Sequence, residues 1–358
     1  MTMNSKLTYM AGAAIVALLV ASCGGKKKSY DELGDSGRTV RTENLEANLP
    51  RFVGKGVLIG QQYGTLRGIG WQGDSARSDF RSICNDRPAV NAYELCGIER
   101  GLKTNADSIP FSLISKDAVG FFRHGGLILM TWTAPNPNGN EQLLHGWVRK
   151  LAAYLGSLHD GYGIKAPVVL FPFPLSPGTW YARLSPQEYR RLYRQTVQWL
   201  RDEQVTNVLF GYSESFDGRP EHFGSRLPVD ETQVINFTFM QPQAQANEAA
   251  YRRVMERMVP AVVRLAQEYN KVAGITTGIE GLPDSTYFSS TLLPLLQQNR
   301  LSYLLLGSNH GEYAQKHFFA PWPGADNSLI KSFMTLYNDP STIFLSSLNG
   351  LYLKQTEN

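Results

Sequence analysis

Eight short runs rich in Val, Ile, Leu and aromatic residues recur along this chain, at 57–60, 88–93, 127–132, 167–171, 207–212, 234–239, 272–276 and 302–306. They read as near-continuous rather than alternating. A strand with one face in water alternates apolar and polar residues, whereas a strand covered on both faces stays apolar throughout, as in a parallel sheet. Helix patterns lie between most of the runs. Residues 141–159 place Leu144, Val148, Leu151, Ala152 and Leu155 on one face. Ser185-Pro-Gln-Glu188 reads as a cap, a first-turn proline and a glutamate three positions on. Further helices are expected over 247–269 and 284–299. Eight strands alternating with helices predict an α/β protein, a single (β/α)8 TIM barrel, with a doubly wound open sheet as the alternative.

The first residues read as an address. Lys6, the apolar run 10–20 and Val20-Ala-Ser-Cys23 make a signal peptide over 1–22, because so short an apolar run cannot span a bilayer. The small residues before Cys23 match a bacterial lipobox. Cys23 is therefore the expected lipidation site and membrane anchor, held by several acyl chains, and Gly24 after it favours the outer membrane by analogy with known sorting. Residues 23–46, polar and without periodicity, read as the lipidated cysteine and a flexible tether. Residues 47–358 form the barrel.

The formal net charge of +4 is too near balance to imply nucleic acid, and no basic cluster interleaves with aromatics. Cys84 and Cys96 either pair as a disulfide in an exported compartment or stay as free thiols. The histidines and cysteines show no metal spacing, so neither a metal nor another cofactor is expected. In a barrel, function gathers where strands end. Two carboxylates fall there, Glu94 and Glu214, with the aromatics Trp71, Trp132, Phe173, Trp180 and Trp322 nearby and Asn309 after the last strand. Flat rings beside amides and hydroxyls suit sugars, and these residues form the expected substrate-binding set. The long polar connection 213–233 either covers the pocket, docks a partner or is an inert excursion.

Taken in order, Leu58-Ile-Gly-Gln-Gln, Arg87-Pro-Ala-Val-Asn-Ala-Tyr-Glu-Leu-Cys-Gly-Ile-Glu99, Gly125-Gly-Leu-Ile-Leu-Met-Thr-Trp-Thr-Ala-Pro-Asn-Pro137, Gly278-Ile-Glu-Gly-Leu-Pro-Asp284, Phe319-Ala-Pro-Trp-Pro-Gly324 and Tyr337-Asn-Asp-Pro-Ser-Thr-Ile-Phe344 resemble the β-mannanases of glycoside hydrolase family 26. The resemblance implies a retaining barrel glycosidase with an acid/base glutamate after the fourth strand and a nucleophile glutamate after the seventh. Here the fourth segment reads Phe171-Pro-Phe-Pro-Leu175 and the seventh Ile275-Thr-Thr-Gly278. Leu175 thus takes the acid/base position and Thr276 the nucleophile position.

Retaining hydrolysis needs two carboxyl groups about 5–5.5 Å apart. Leucine has no proton to give, and loss of a general acid alone costs roughly 10²–10⁴-fold in rate. Threonine attacks only when a base takes its proton. No catalytic residue is therefore assigned. The expected function is a non-catalytic outer-membrane lipoprotein that binds a glycan such as β-mannan or serves in an envelope complex with outer-membrane protein partners. The alternatives are an active endo-β-mannanase with relocated carboxylates at Glu94 and Glu214, and a purely structural subunit.

Overall fold

The computed structural model describes residues 31–354. The signal peptide over 1–22 and the lipidation site Cys23 lie outside the described residues. Eight parallel strands form the core: β1 (Val57–Gln62), β2 (Val90–Glu94), β3 (Leu127–Trp132), β4 (Val168–Pro172), β5 (Val208–Ser215), β6 (Val234–Gln241), β7 (Val272–Ile279) and β8 (Tyr303–Leu306). Each pairs with its sequence neighbour, and β8 returns to β1 in the register Leu58↔Tyr303 to Gln61↔Leu306. Closure leaves no free barrel edge. The predicted (β/α)8 barrel is what the chain forms, and the open sheet is excluded. A short strand, Thr342–Ile343, adds beside the start of β1.

Around the barrel run α2 (Asp79–Cys84), α3 (Phe111–Arg123), α4 (Glu141–Gly156), α5 (Pro186–Asp202), α6 (Glu248–Glu268), α7 (Leu293–Gln298) and α8 (Asn327–Asn338), preceded by α1 (Val40–Phe52). The cap read at Ser185 is present: its side chain accepts from Glu188 N while the Glu188 carboxylate accepts from Ser185 N. The five apolar positions assigned to one face of α4 are all buried.

Two expectations are corrected. Residues 31–46 are not tether. Leu33 bridges to Thr39, and α1 buries Leu45 and Leu49 across the N-terminal ends of the strands. Thr39 N donates to Thr206 O just before β5. On its other side α1 clasps the C-terminal segment, where Asn48 Nδ2 donates to the carbonyls of Gly350, Leu351 and Leu353. A helix with one narrow apolar stripe and polar capping residues has the composition of a linker.

The disulfide reading is corrected too, since Cys84 and Cys96 are both free. Cys84 is buried at the end of α2, its thiol donates to Phe80 O, and burial pushes its pKa up to about 12. Cys96 sits half-buried in the loop after β2.

Candidate functional site

The strands open at their C-terminal ends onto a mouth whose floor is neutral. Thr276, late in β7, donates its hydroxyl to Asn236 Oδ1 at 3.1 Å. The Asn236 amide donates to Ser213 Oγ at 2.9 Å and Thr238 Oγ1 at 3.1 Å, and Tyr303 OH donates to Asn236 Oδ1 at 2.9 Å. Tyr303 reaches across because β7 carries a glycine beside it: a Cβ on Gly274 would lie 2.1 Å from the ring. Hydroxyls and one amide satisfy one another here, with no carboxylate among them. Leu175 is 5% exposed and held by two backbone bonds, donating to Ser213 O and accepting from Ser215 N.

The two mouth carboxylates are occupied by the protein itself. Glu94 Oε1 accepts from the backbone N–H groups of Leu95, Cys96 and Thr133, and Oε2 accepts from the hydroxyls of Thr131 and Thr133 at 2.6 and 3.0 Å. Burial raises its pKa against the pull of these five bonds. Glu214, 7% exposed, accepts on Oε2 from Tyr212 OH and Gly224 N, and burial likewise raises its pKa. The two belong to strands β2 and β5, and each is bound by its own surroundings.

The expected aromatics divide into core and rim. Trp132 and Phe173 are 0% exposed and pack on each other with centroids 5.3 Å apart. Trp132 Nε1 donates to the buried Glu99, so neither ring has a face for sugar, and their assignment as substrate contacts is corrected. Phe173 also takes φ +54, a left-handed conformation rare for a bulky residue, fixed by Phe173 N donating to Trp132 O and by Tyr189 OH donating to Phe173 O. Asn309 is fully buried and bonded on every side to Asp79, Phe319 and Ala320, which makes it a brace for the last loop. Trp322 is buried behind Tyr313.

Trp71 and Trp180 keep partial exposure. Their indole N–H groups donate to Asp79 and to Ala134 O respectively, so each ring is held in place. The ring that sequence reasoning missed is Tyr313. It is 58% exposed and lies over Gly70, where a Cβ would come within 2.9 Å of it. Its signal is the loop after β8, long and aromatic, where the family motif draws attention to the buried Trp322 and away from Tyr313.

A cavity of about 570 Å³ opens beside Leu175 and Glu214, between the loops after β4 and β5. The 213–233 connection forms one of its walls, through Asp217, Arg219, His222 and Arg226. Another cavity of about 570 Å³ lies along α3, between the loop after β1 and the segment after α4.

No family model matches the sequence. Among curated proteins, a mannan endo-1,4-β-mannosidase of Bifidobacterium adolescentis is 24% identical over 186 residues, 46% of this chain and 19% of that protein. The chain thus spans about a fifth of the curated relative it matches. A GH26 β-mannanase from Bacteroides ovatus superposes with a TM-score of 0.82 at 28% identity, over 90% of this chain and 99% of that one. The catalytic domain of a Bacillus GH26 endo-β-1,4-mannanase gives 0.77 at 22%, over 91% and 98%. The structural neighbours of this barrel are family 26 β-mannanases, as the sequence resemblance implied.

Proposed function

We propose that this mannanase-like barrel is a glycan-binding lipoprotein of a bacterial outer membrane that does not cut the sugar it holds. One observation carries the reading: Thr276, which the resemblance puts at the nucleophile's place, sits in a neutral network with Asn236, Ser213, Thr238 and Tyr303. A threonine whose hydroxyl donates to an amide oxygen has no base to activate it. Leu175 supplies no proton from the other side. Relocated catalysis would need Glu94 or Glu214 to titrate toward a glycosidic oxygen. Glu94 already accepts five hydrogen bonds, and freeing it would break the loop after β2.

Binding draws on what the rim keeps. Trp71 and Trp180 are half-exposed rings held by their indole N–H bonds, and Tyr313 is an exposed ring packed on Trp322; a held aromatic face stacks a pyranose at little entropic cost. β-Mannan is the first ligand to try, given what the structural neighbours are named for. The purified protein is incubated with mannan and reducing ends are counted, then titrated with manno-oligosaccharides by calorimetry. The expected result is no release of sugar together with binding that weakens about tenfold in Trp180→Ala or Tyr313→Ala, the loss of one stacking contact. Sugar release abolished by Glu94→Gln or Glu214→Gln would restore the enzyme reading.

A further inference from the structure

The cavity beside Leu175 is built differently from the rest of the mouth. Its two walls are the loop after β4, which includes the tight turn Trp180–Arg183, and the connection after β5. Arg226 ties them together, donating from Nε to Leu184 O at 3.3 Å and from Nη2 to Ala182 O at 3.4 Å. Asp217 holds the second wall in shape by accepting from Arg219 Nη2 at 3.0 Å and lying 3.1 Å from His222 Nδ1. At the bottom Ser176 and Ser215 join hydroxyls at 2.9 Å. Three guanidiniums, Arg183, Arg219 and Arg226, therefore line this space against two carboxylates, Glu214 and Asp217. Asp217 is taken up by its own neighbours, and Glu214 accepts on Oε2 from Tyr212 and Gly224 with the Arg226 charge beside it. Arg183 is exposed and has no hydrogen-bond or ion-pair partner among the described residues.

A free guanidinium on the rim of a braced, net positive cavity has little to gain from a neutral sugar. Its planar fork matches a carboxylate, to which it donates two parallel hydrogen bonds. Neutral mannan offers only hydroxyls. We propose that the ligand of this cavity is an acidic saccharide, a glycan bearing uronic acid, whose carboxylate pairs with Arg183 while Ser176 and Ser215 meet its hydroxyls. The inference rests on the glycan-binding reading above and names the ligand class that reading leaves open.

The test is calorimetry on the purified full-length protein with two probes of equal length, a manno-oligosaccharide and the corresponding mannuronate oligosaccharide, at low and at high salt. The uronate is expected to bind about tenfold more tightly at low salt, the gain of one charge-assisted pair. The advantage shrinks as salt screens the partly exposed charge. Arg183→Gln is expected to erase the preference while leaving the weaker mannan binding and the melting temperature unchanged, because Arg183 makes no contact that the fold needs. A preference for the neutral oligosaccharide overturns the acidic assignment and leaves the glycan reading standing. An acidic preference that survives Arg183→Gln overturns it as well, since the attraction then comes from general surface charge. Failure of both probes to bind overturns this inference and the glycan reading together.

Discussion

Replacing Glu94 by alanine would strip three backbone N–H groups and two hydroxyls of their acceptor. The threonine hydroxyls can turn to other partners; the N–H groups of Leu95, Cys96 and Thr133 cannot. A buried donor left unmet costs about 1–3 kcal/mol, so Glu94→Ala is expected to lose roughly 3 kcal/mol or more in a urea melt. A residue held for chemistry would instead tolerate removal, or even stabilise the fold when removed. Glu214 gives a pH signature. Burial raises its pKa above the ordinary value of 4.5, so the folded chain holds that proton more tightly than the unfolded one. Its contribution is fully present below about pH 4.5 and is lost as pH rises through the folded value. Stability of the wild type relative to Glu214→Gln should therefore fall with rising pH, read from urea melts at a series of pH values. The neutrality of Leu175 and Thr276 was plain in the sequence, because residue type alone decides it. The engagement of Glu94 was not, since its donors come from strand β3 and from the loops after β2 and β3. Nor could the sequence separate Trp132 and Phe173, which are core, from Trp180, which stays half-exposed: aromatic type is common to both roles.

Among the elements, the strands were the most legible, because burial on both faces leaves an apolar run that little else produces. Their ends were less so. The runs stopped at 212 and 276, yet β5 and β7 continue to Ser215 and Ile279. The ladder goes on through polar residues: Ser213 turns inward to Asn236, Glu214 lies beside Tyr212 at the loop cavity, and Thr277 turns outward to Tyr251 of α6. The helix expected over 284–299 is present from Phe288 to Gln298, its first part a wide π turn, Phe288–Leu292, that runs into α7 with Pro294 in its first turn. The cap of α5 is legible in the sequence, since Ser-Pro-x-Glu names each partner by position. Ser185→Ala is expected to cost about 1 kcal/mol, the usual loss for a capping side chain, visible as a lower urea midpoint with an unchanged slope.

At the scale of the whole molecule, the barrel is stoppered at its lower end by α1 and the C-terminal segment, joined through Asn44 and Asn48. A chain beginning at residue 47 would lose Thr39, Leu45 and most of this seal, leaving the apolar ends of β5 to β7 open to water. It is expected to aggregate or melt far below the full chain, whereas a chain beginning at residue 31 should melt with it; circular dichroism on both distinguishes the outcomes. The seal also decides which way the molecule looks. The chain enters the fold at the end opposite the mouth, and Asp31 is tied there by its carboxylate accepting from Lys165 N, before β4. From Cys23 to Asp31 the backbone reaches roughly 25–30 Å even when fully drawn out. Were Cys23 acylated, as the lipobox match implies, the barrel would stand like a goblet on a short stem, with its bowl turned away from the bilayer. A lipid-borne quencher should then dim a dye placed near Asn48 and spare one on Tyr313, and passing polymers would meet the open rim before they met the membrane.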